Sequence, residues 1–320
     1  MRVLSVLLDR EFDRGAAGIC GTGQRLARAY EALHEIIVPE RMTENAVRSV
    51  ALAADSVKTV SGIDVAETSP EACFARLHQI LRDELPHCVV FGNGVAAQEI
   101  APRLAYRLGG SCAGDAREVN VVGGKVRVNR AVYGGKAMAS IELRSIPAVV
   151  WVRARAMEPA VEQDVPGIVQ AIERGEDILV KAEVVERHAE AVEGVRLEDA
   201  NIIVSGGRGL GSAAPFERLQ SLARTMQAEM AASRAACDLG WVPHSWQVGQ
   251  SGKKVAPEFY LAIALSGSSQ HLMGAADAKQ IAAINIDPEA PIFKHCRFGI
   301  VEDFDKVVDL LREKLAVKLG

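Results

Sequence analysis

The chain's six cysteines, Cys20, Cys73, Cys88, Cys112, Cys237 and Cys296, stand far apart and form no CxxC pair. That spacing suggests neither a zinc site nor a disulfide framework, so they read as small buried apolar residues. Charge of one sign is also missing: 37 basic against 41 acidic residues leave a net charge of -4, no field to attract DNA or anionic lipid. Nucleic acid is therefore not expected as a partner. The opening run MRVLSVLLD is too short, and too soon followed by charge, for a signal peptide or a spanning helix. A cytoplasmic chain without membrane insertion is expected. No low-complexity tract, fixed-period repeat, catalytic triad or metal-ligand constellation stands out, so no catalytic residue and no metal ligand is nominated.

What is present is an α/β pattern. At 320 residues the chain exceeds the usual size of one core, and two domains of roughly 100–200 residues each are expected. In the first half RVLSVLLD precedes a helical GQRLARAYEALH, EIIVPE precedes NAVRSVALAADS, VKTV precedes EACFARLHQILRDEL, and HCVVFG precedes AAQEIAPRLAYRLG. Strands spaced by amphipathic helices imply parallel pairing with helices on both faces. The pattern then changes to NVVGGKVRVNRAVYGGKAMASIEL, where Gly123-Gly124 signals a hairpin and an antiparallel extension. From Met157 to about Gly194 the composition turns acidic, with a possible strand ILVKAEVVER, and a boundary near Glu190 divides a domain over 1–190 from one over 191–320.

The second domain reads as an open, mostly parallel, Rossmann-like α/β sheet. NIIVSGGRG is followed by a helix with Phe216, Leu219, Leu222, Met226 and Met230 on one face, then AEMAAS, YLAIALSG, AAINID and FGIVED. The closing FDKVVDLLREKLAVKL carries Val307, Leu310, Leu311 and Leu315 on one face and lysines in its last turns, as the helix dipole favours.

Three groups of glycines differ in meaning. Gly18, Gly21 and Gly23 follow the first strand with GxxGxG spacing, the reverse of the dinucleotide fingerprint, so ligand contact is not expected there. The strings Gly123-Gly124-Lys125 and Gly134-Gly135-Lys136 lack the rest of a P-loop and read as turns. In the second domain, however, small-residue loops recur at successive strand ends: Ser205 to Gly209, Ser233-Arg234, Ser266 to His271, Asn285 and Asp303, with the flexible Val248 to Lys254 beside them. Open α/β sheets bind ligands outside the carboxyl ends of their strands, where glycines admit close approach. A nucleotide-like ligand fits such a convergence. Taken singly, Arg208 and Arg234 also read as surface arginines, His271 as a core histidine bonded to a carbonyl, and Asn285 and Asp303 as strand-end and capping residues.

In order, SGGRG, SR, VGQSGK, SGSSQH, NIDPEAPIF and GIVED resemble the alpha subunit of the electron transfer flavoproteins. The run VGQSGKKVAPEFYLAIALSGSSQHLMGAADAKQIAAINIDPEAP of Val248 to Pro291 resembles that family's signature region, and AAQEIAPRLAYRLG and VNRAVYGGKAMA extend the likeness to the first half. The resemblance implies one FAD in the second domain and a first domain forming a base with a beta subunit, as a heterodimer. It further implies electron transfer from a dehydrogenase to an acceptor such as a quinone oxidoreductase, with the second domain mobile on a hinge near 157–194. Carried over by motif, Arg208, Ser233, Arg234, Val248, Gly249, Gln250, Ser251, Ser266, Gly267, Ser268, Ser269, Gln270, His271, Asn285, Asp303 and Phe304 are the implied FAD contacts. Arg234 is implied beside the isoalloxazine ring, Ser251 and His271 near its polar edge, and Asn285 and Asp303 at the adenosine half. Ser251 stands where threonine is commoner and SGSSQH where SGAIQH is frequent. The alternatives are the alpha subunit of an NADH-dependent bifurcating complex, whose partner holds a second FAD in place of AMP, and a non-redox nucleotide-binding regulatory module.

Overall fold

The structure is a computed structural model that describes residues 1–92, 94–133, 137–172, 180, 184–186 and 196–319. The expected boundary at Glu190, most of the possible strand ILVKAEVVER and the turn string at 134–136 fall outside the described residues. The chain divides into two compact units, Met1–Ala189 and Glu190–Gly320.

The first unit contains β1 (Arg2–Val6), α1 (Arg14–Ala29), β2 (Leu33–Pro39), α2 (Glu44–Ala51), β3 (Ser56–Val60), α3 (Pro70–Leu81), β4 (Cys88–Phe91) and α4 (Val95–Arg107). It continues with β5 (Ser111–Val122), β6 (Lys125–Val132), β7 (Ala137–Leu143), β8 (Ala148–Val152) and β9 (Ile168–Ala171). These strands form one sheet in the order β7-β6-β5-β8-β4-β1-β2-β3-β9. Among the described residues only the β5–β6 and β6–β7 pairs are antiparallel, the first closed at Gly123 and Gly124 with φ of 58° and 75°, angles that glycine adopts without strain. Side-chain alternation sorts each central strand between two cores: Val3, Leu7, Ile36, Cys88 and Val90 on one face, Leu4, Val6, Ile37, Val89 and Phe91 on the other.

Two expectations are corrected here. The GxxGxG glycines lie inside α1, which starts at Arg14 behind an Asp13 cap, rather than in a loop before a helix. A Cβ at Gly18 would sit 1.9 Å from the Ala154 carbonyl oxygen, and one at Gly21 2.2 Å from that of Glu158. They are glycines because the helix packs directly on backbone. The helix also stops at Ala29, where Glu31 takes a φ of 50°, so Leu33 and His34 belong to β2 and not to the helix. In the acidic segment, Ile168–Ala171 forms an edge strand parallel to β3, which its exposed, weakly alternating residues did not announce.

The second unit contains β10 (Ile202–Gly206), α5 (Pro215–Thr225), β11 (Glu229–Ala232), α6 (Arg234–Asp238), β12 (Phe259–Ile263), α7 (Ser269–Ala275), β13 (Gln280–Asn285), β14 (Phe298–Val301) and α8 (Phe304–Leu319). Its sheet runs β11-β10-β12-β13-β14 and every pair is parallel. Ile203, Tyr260, Ala262, Ile281 and Ala283 face one core; Val204, Leu261, Ile263 and Ile284 face the other. Met230 belongs to β11, not to the preceding helix, which ends at Thr225 before Gln227 turns at φ 52°. In α8 the core-facing stripe is Val308, fully buried, with Val307, Leu311 and Leu315 partly buried beside it, while Leu310 is 53 % exposed. The 3.6-residue period places 304, 308, 311 and 315 together and turns 310 about 100° or more away from that line.

Candidate functional site

Because β11 and β12 lie on opposite sides of β10, the chain reverses its direction of winding between β10 and β12. A doubly wound sheet opens a crevice at such a point, outside the carboxyl ends of its strands. A cleft of about 1120 Å³ lies there. Its walls are the loops after β10, β11, β12, β13 and β14, and the segment Gln247–Ser251.

Close backbone packing shapes the cleft. A Cβ on Gly207 would approach the Ala264 carbonyl oxygen to 2.1 Å, and Gly209 N–H donates to that same oxygen at 3.2 Å. Ala264 itself is held at φ 52°, a left-handed conformation that costs an L-residue about 1–2 kcal/mol. Gly267 has φ 76° and its Cα faces the backbone of Ile292, where a Cβ would come within 2.4 Å of the amide nitrogen. On the opposite wall the Gln250 amide donates to the Gln270 carbonyl at 2.8 Å, which docks the 248–254 loop on the start of α7.

Of the residues implied by the resemblance, the cleft brings together Arg208, Ser233, Arg234, Val248, Gly249, Gln250, Ser251, Ser266, Gly267, Ser268, Gln270, His271, Asn285, Asp303 and Phe304. Ser269 is left out of the lining, with its hydroxyl turned to the Gln270 side chain at 3.4 Å. Several side chains already have partners. Ser233 caps α6 by accepting from Ala236 N–H, and Ser268 caps α7 by accepting from His271 N–H. Arg234 pairs with Asp238 at 3.2 Å in an exposed contact one turn apart. Asn285 donates from Nδ2 to the Leu265 carbonyl at 2.9 Å and accepts from Asp287 N–H at 3.0 Å, so it buckles two strand ends together. Asp303 accepts from Asp305 N–H through one carboxylate oxygen.

The lining is electrostatically divided. Arg208 and Arg234 stand at the ends of β10 and β11, whereas Asp287, Asp303 and Asp305 stand at the ends of β13 and β14. His271 is 5 % exposed and bonds Tyr260 Oη through Nε2 at 2.8 Å. Burial lowers its pKa to about 4, against an opposing influence of the Val248 backbone, and keeps the imidazole neutral at pH 7. The imidazole thus meets a phenol at Nε2, with the Val248 backbone also acting on the ring. Among the described residues no group of three His, Cys, Asp or Glu is placed to hold a metal.

Gln247 was missed from sequence, yet it is buried and donates from Nε2 to Ser251 Oγ at 3.0 Å while His244 Nδ1 lies 3.3 Å from its Oε1. Only the pairing of Gln247 with Ala232 brings it to the wall, a contact no local pattern announces. Asp238 was missed too, although its i+4 spacing from Arg234 on a helix is a readable signal.

Residues 9–190 match the model of the electron transfer flavoprotein domain, and residues 196–276 match that of the electron transfer flavoprotein FAD-binding domain. The chain belongs to the electron transfer flavoprotein alpha subunit family. It is 35 % identical over 283 residues to the electron transfer flavoprotein subunit alpha of Bacillus subtilis, spanning 87 % of this chain and 86 % of that one. It is 32 % identical to the subunit alpha of Paracoccus denitrificans across 98 % of this chain and 100 % of the relative. In terms of this flavoprotein family, the FAD-binding match ends at 276, while the cleft also draws on Asn285 and Asp303 beyond it. No helix among the described residues is long and apolar enough to cross a membrane.

Proposed function

We propose that the chain binds one FAD in the cleft of its second unit and, paired with a beta subunit, passes electrons from a dehydrogenase to an acceptor oxidoreductase. The single observation that supports this most is the convergence of five strand-end loops on one cleft, within the unit that matches an FAD-binding domain. The residues fit the group in two further ways. Gly207 and Gly267 let the loops of the cleft pack directly on the backbone of Ala264 and Ile292, which holds its walls in a fixed shape, and His271 Nδ1 is a buried polar atom without a hydrogen bond of ordinary geometry.

Bound flavin supplies one- and two-electron chemistry and needs no acid, base or nucleophile from the protein. The protein's part is to bind, orient and tune. Asp303 and Asn285 at the β13–β14 side are suited to accept from and donate to the hydroxyls and ring nitrogens of an adenosine, and Arg208 to meet a diphosphate. Arg234 has only an exposed carboxylate partner, so its guanidinium is free to swing toward negative charge on a ring. Ser251, positioned by Gln247, and His271, positioned from beneath by Tyr260, offer donors at fixed places, and fixed donors stabilise charge that develops on reduction.

The test is the cofactor released from the chain coexpressed with its beta subunit, together with its visible spectrum. One FAD per alpha chain is expected. A colourless complex, or one that releases only NAD or AMP, refutes the proposal, and a second FAD per heterodimer assigns it to the bifurcating type.

A further inference from the structure

Beneath the cleft floor a phenol and an imidazole are sealed together. Tyr260 is fully buried on β12, His271 is 5 % exposed on α7, and the Oη–Nε2 distance is 2.8 Å with the rings tilted 58° to each other. Ser205 Oγ, fully buried on the adjacent β10, makes no hydrogen bond of ordinary geometry but acts on the Tyr260 hydroxyl, opposing the larger effect of burial on the phenol. β12 pairs with β10, and Val204, Ser205 and Gly206 run beside Leu261, Ala262 and Ile263.

The imidazole is neutral, so just one of its nitrogens carries a proton. Which one is decided by the Tyr260 hydroxyl. A buried phenol keeps its proton, burial pushing its pKa up, and a hydroxyl with one proton and a neutral imidazole nitrogen within 2.8 Å has a natural donor and a natural acceptor. If Oη donates to Nε2, the ring proton must lie on Nδ1. Nδ1 has no hydrogen bond of ordinary geometry, although the Val248 backbone lies close enough to act on the ring, and the residue lines the cleft.

We propose that Tyr260 is a positioning residue: its hydroxyl donates to Nε2 of His271 and thereby fixes the Nδ1–H tautomer, leaving Nδ1 as the imidazole's single donor for an acceptor oxygen or nitrogen of a heterocycle seated in the cleft. The ligand half of this inference rests on the flavin reading above; the tautomer half does not. Tyr260 touches no ligand itself. It lies in the apolar core with Val248, Leu265 and Leu272, so a phenylalanine would pack there equally well and lose only the donor.

The experiment is nitrogen NMR of the histidine rings in the alpha–beta complex labelled with 15N-histidine, with His271 assigned from a His271→Gln variant. In wild type Nδ1 is expected at a protonated, pyrrole-like shift and Nε2 at an unprotonated one, and Tyr260→Phe is expected to move the ring toward Nε2–H or a mixture. Nε2–H in wild type, or an unchanged Nδ1–H ring in Tyr260→Phe, overturns the proposal. These readings are made with or without cofactor, so a complex that binds no FAD defeats the functional reading and leaves the tautomer result standing. In the FAD-loaded complex the Nδ1 proton is expected to move downfield relative to the cofactor-stripped complex, and the midpoint potentials of Tyr260→Phe are expected to differ from wild type at equal FAD content. A stationary Nδ1 proton means that it merely turns to the Val248 carbonyl, and overturns the ligand half.

Discussion

The backbone amide of Gln250 donates to the carbonyl of Gln270 at 2.8 Å, tying the loop that follows a short 3-10 turn at His244–Trp246 to the first turn of α7. Two segments twenty residues apart thereby become one wall. The same wall is closed farther along by Val255 N–H donating to the Gly274 carbonyl at 2.8 Å, with Gly274 so close that a Cβ would stand 2.3 Å from Gly249 N.

Gly274→Ala is therefore expected to push the loop off the helix. Overpacking of this kind costs about 1–3 kcal/mol, and here it also displaces Gln250 and Ser251 from the cleft. Urea unfolding should show the lost stability and equilibrium dialysis a weaker hold on FAD. Wild-type values in both would show that the two segments are not held together as described.

Ala264 offers the opposite case, a non-glycine residue at φ 52° that its neighbours impose. Ala264→Gly is expected to leave stability unchanged or raise it by up to about 1 kcal/mol, relief of the left-handed strain being partly offset by the greater freedom of glycine when unfolded. Ala264→Val, β-branched, is expected to lose more than about 1 kcal/mol. Denaturant midpoints of the two variants decide it, and equal midpoints refute the strain.

Arg234→Ala is expected to fold normally, because an exposed pair with Asp238 contributes only about 0–1 kcal/mol. Its effect should fall on the cofactor, as weaker FAD binding or a lowered midpoint potential. A redox titration indistinguishable from wild type would remove Arg234 from the site's chemistry.

His34 and His271 are buried in different units, and burial lowers each pKa to about 4 from 6.5. Between those values the unfolded chain binds more protons than the folded one, so stability falls as pH drops from about 6.5 to about 4 and is unaffected by these groups above that window. Each contributes a loss of at most about 3 kcal/mol, at 1.36 kcal/mol per unit. Denaturant unfolding from pH 7 to 4.5 should show a slope that is reduced in His271→Gln, and an equal slope would mean that His271 is not held neutral.

None of the six cysteines is in a disulfide, and burial pushes Cys20, Cys88 and Cys112 up to about 12 and Cys237 to about 11. A thiol of that pKa holds almost no thiolate at pH 8. Reaction with a disulfide reagent should be slow in the native protein and release six thiols on unfolding, with Cys296, half-buried, reacting first. Rapid native labelling of several thiols would contradict the packing.

The amino-acid pattern alone determined the α/β class, the parallel second sheet, the glycine hairpin and the loops gathered at strand ends, since these follow from periodicities and turn residues that act within a few positions. The resemblance picked out the loops that line the cleft from the same local strings. Tertiary structure alone decided what depends on contacts between distant segments. Gly18 and Gly21 are helix-packing glycines because Ala154 and Glu158 lie against them, over a hundred residues on. Gln247 reaches the cleft because it pairs with Ala232, and Tyr260, an aromatic among apolar strand residues, becomes polar in consequence only because α7 folds His271 back over it. Local pattern fixes which way a side chain points from its own strand or helix; which group it meets is set by how separate elements pack, and hydrogen bonds and clashes are decided there within a few tenths of an ångström.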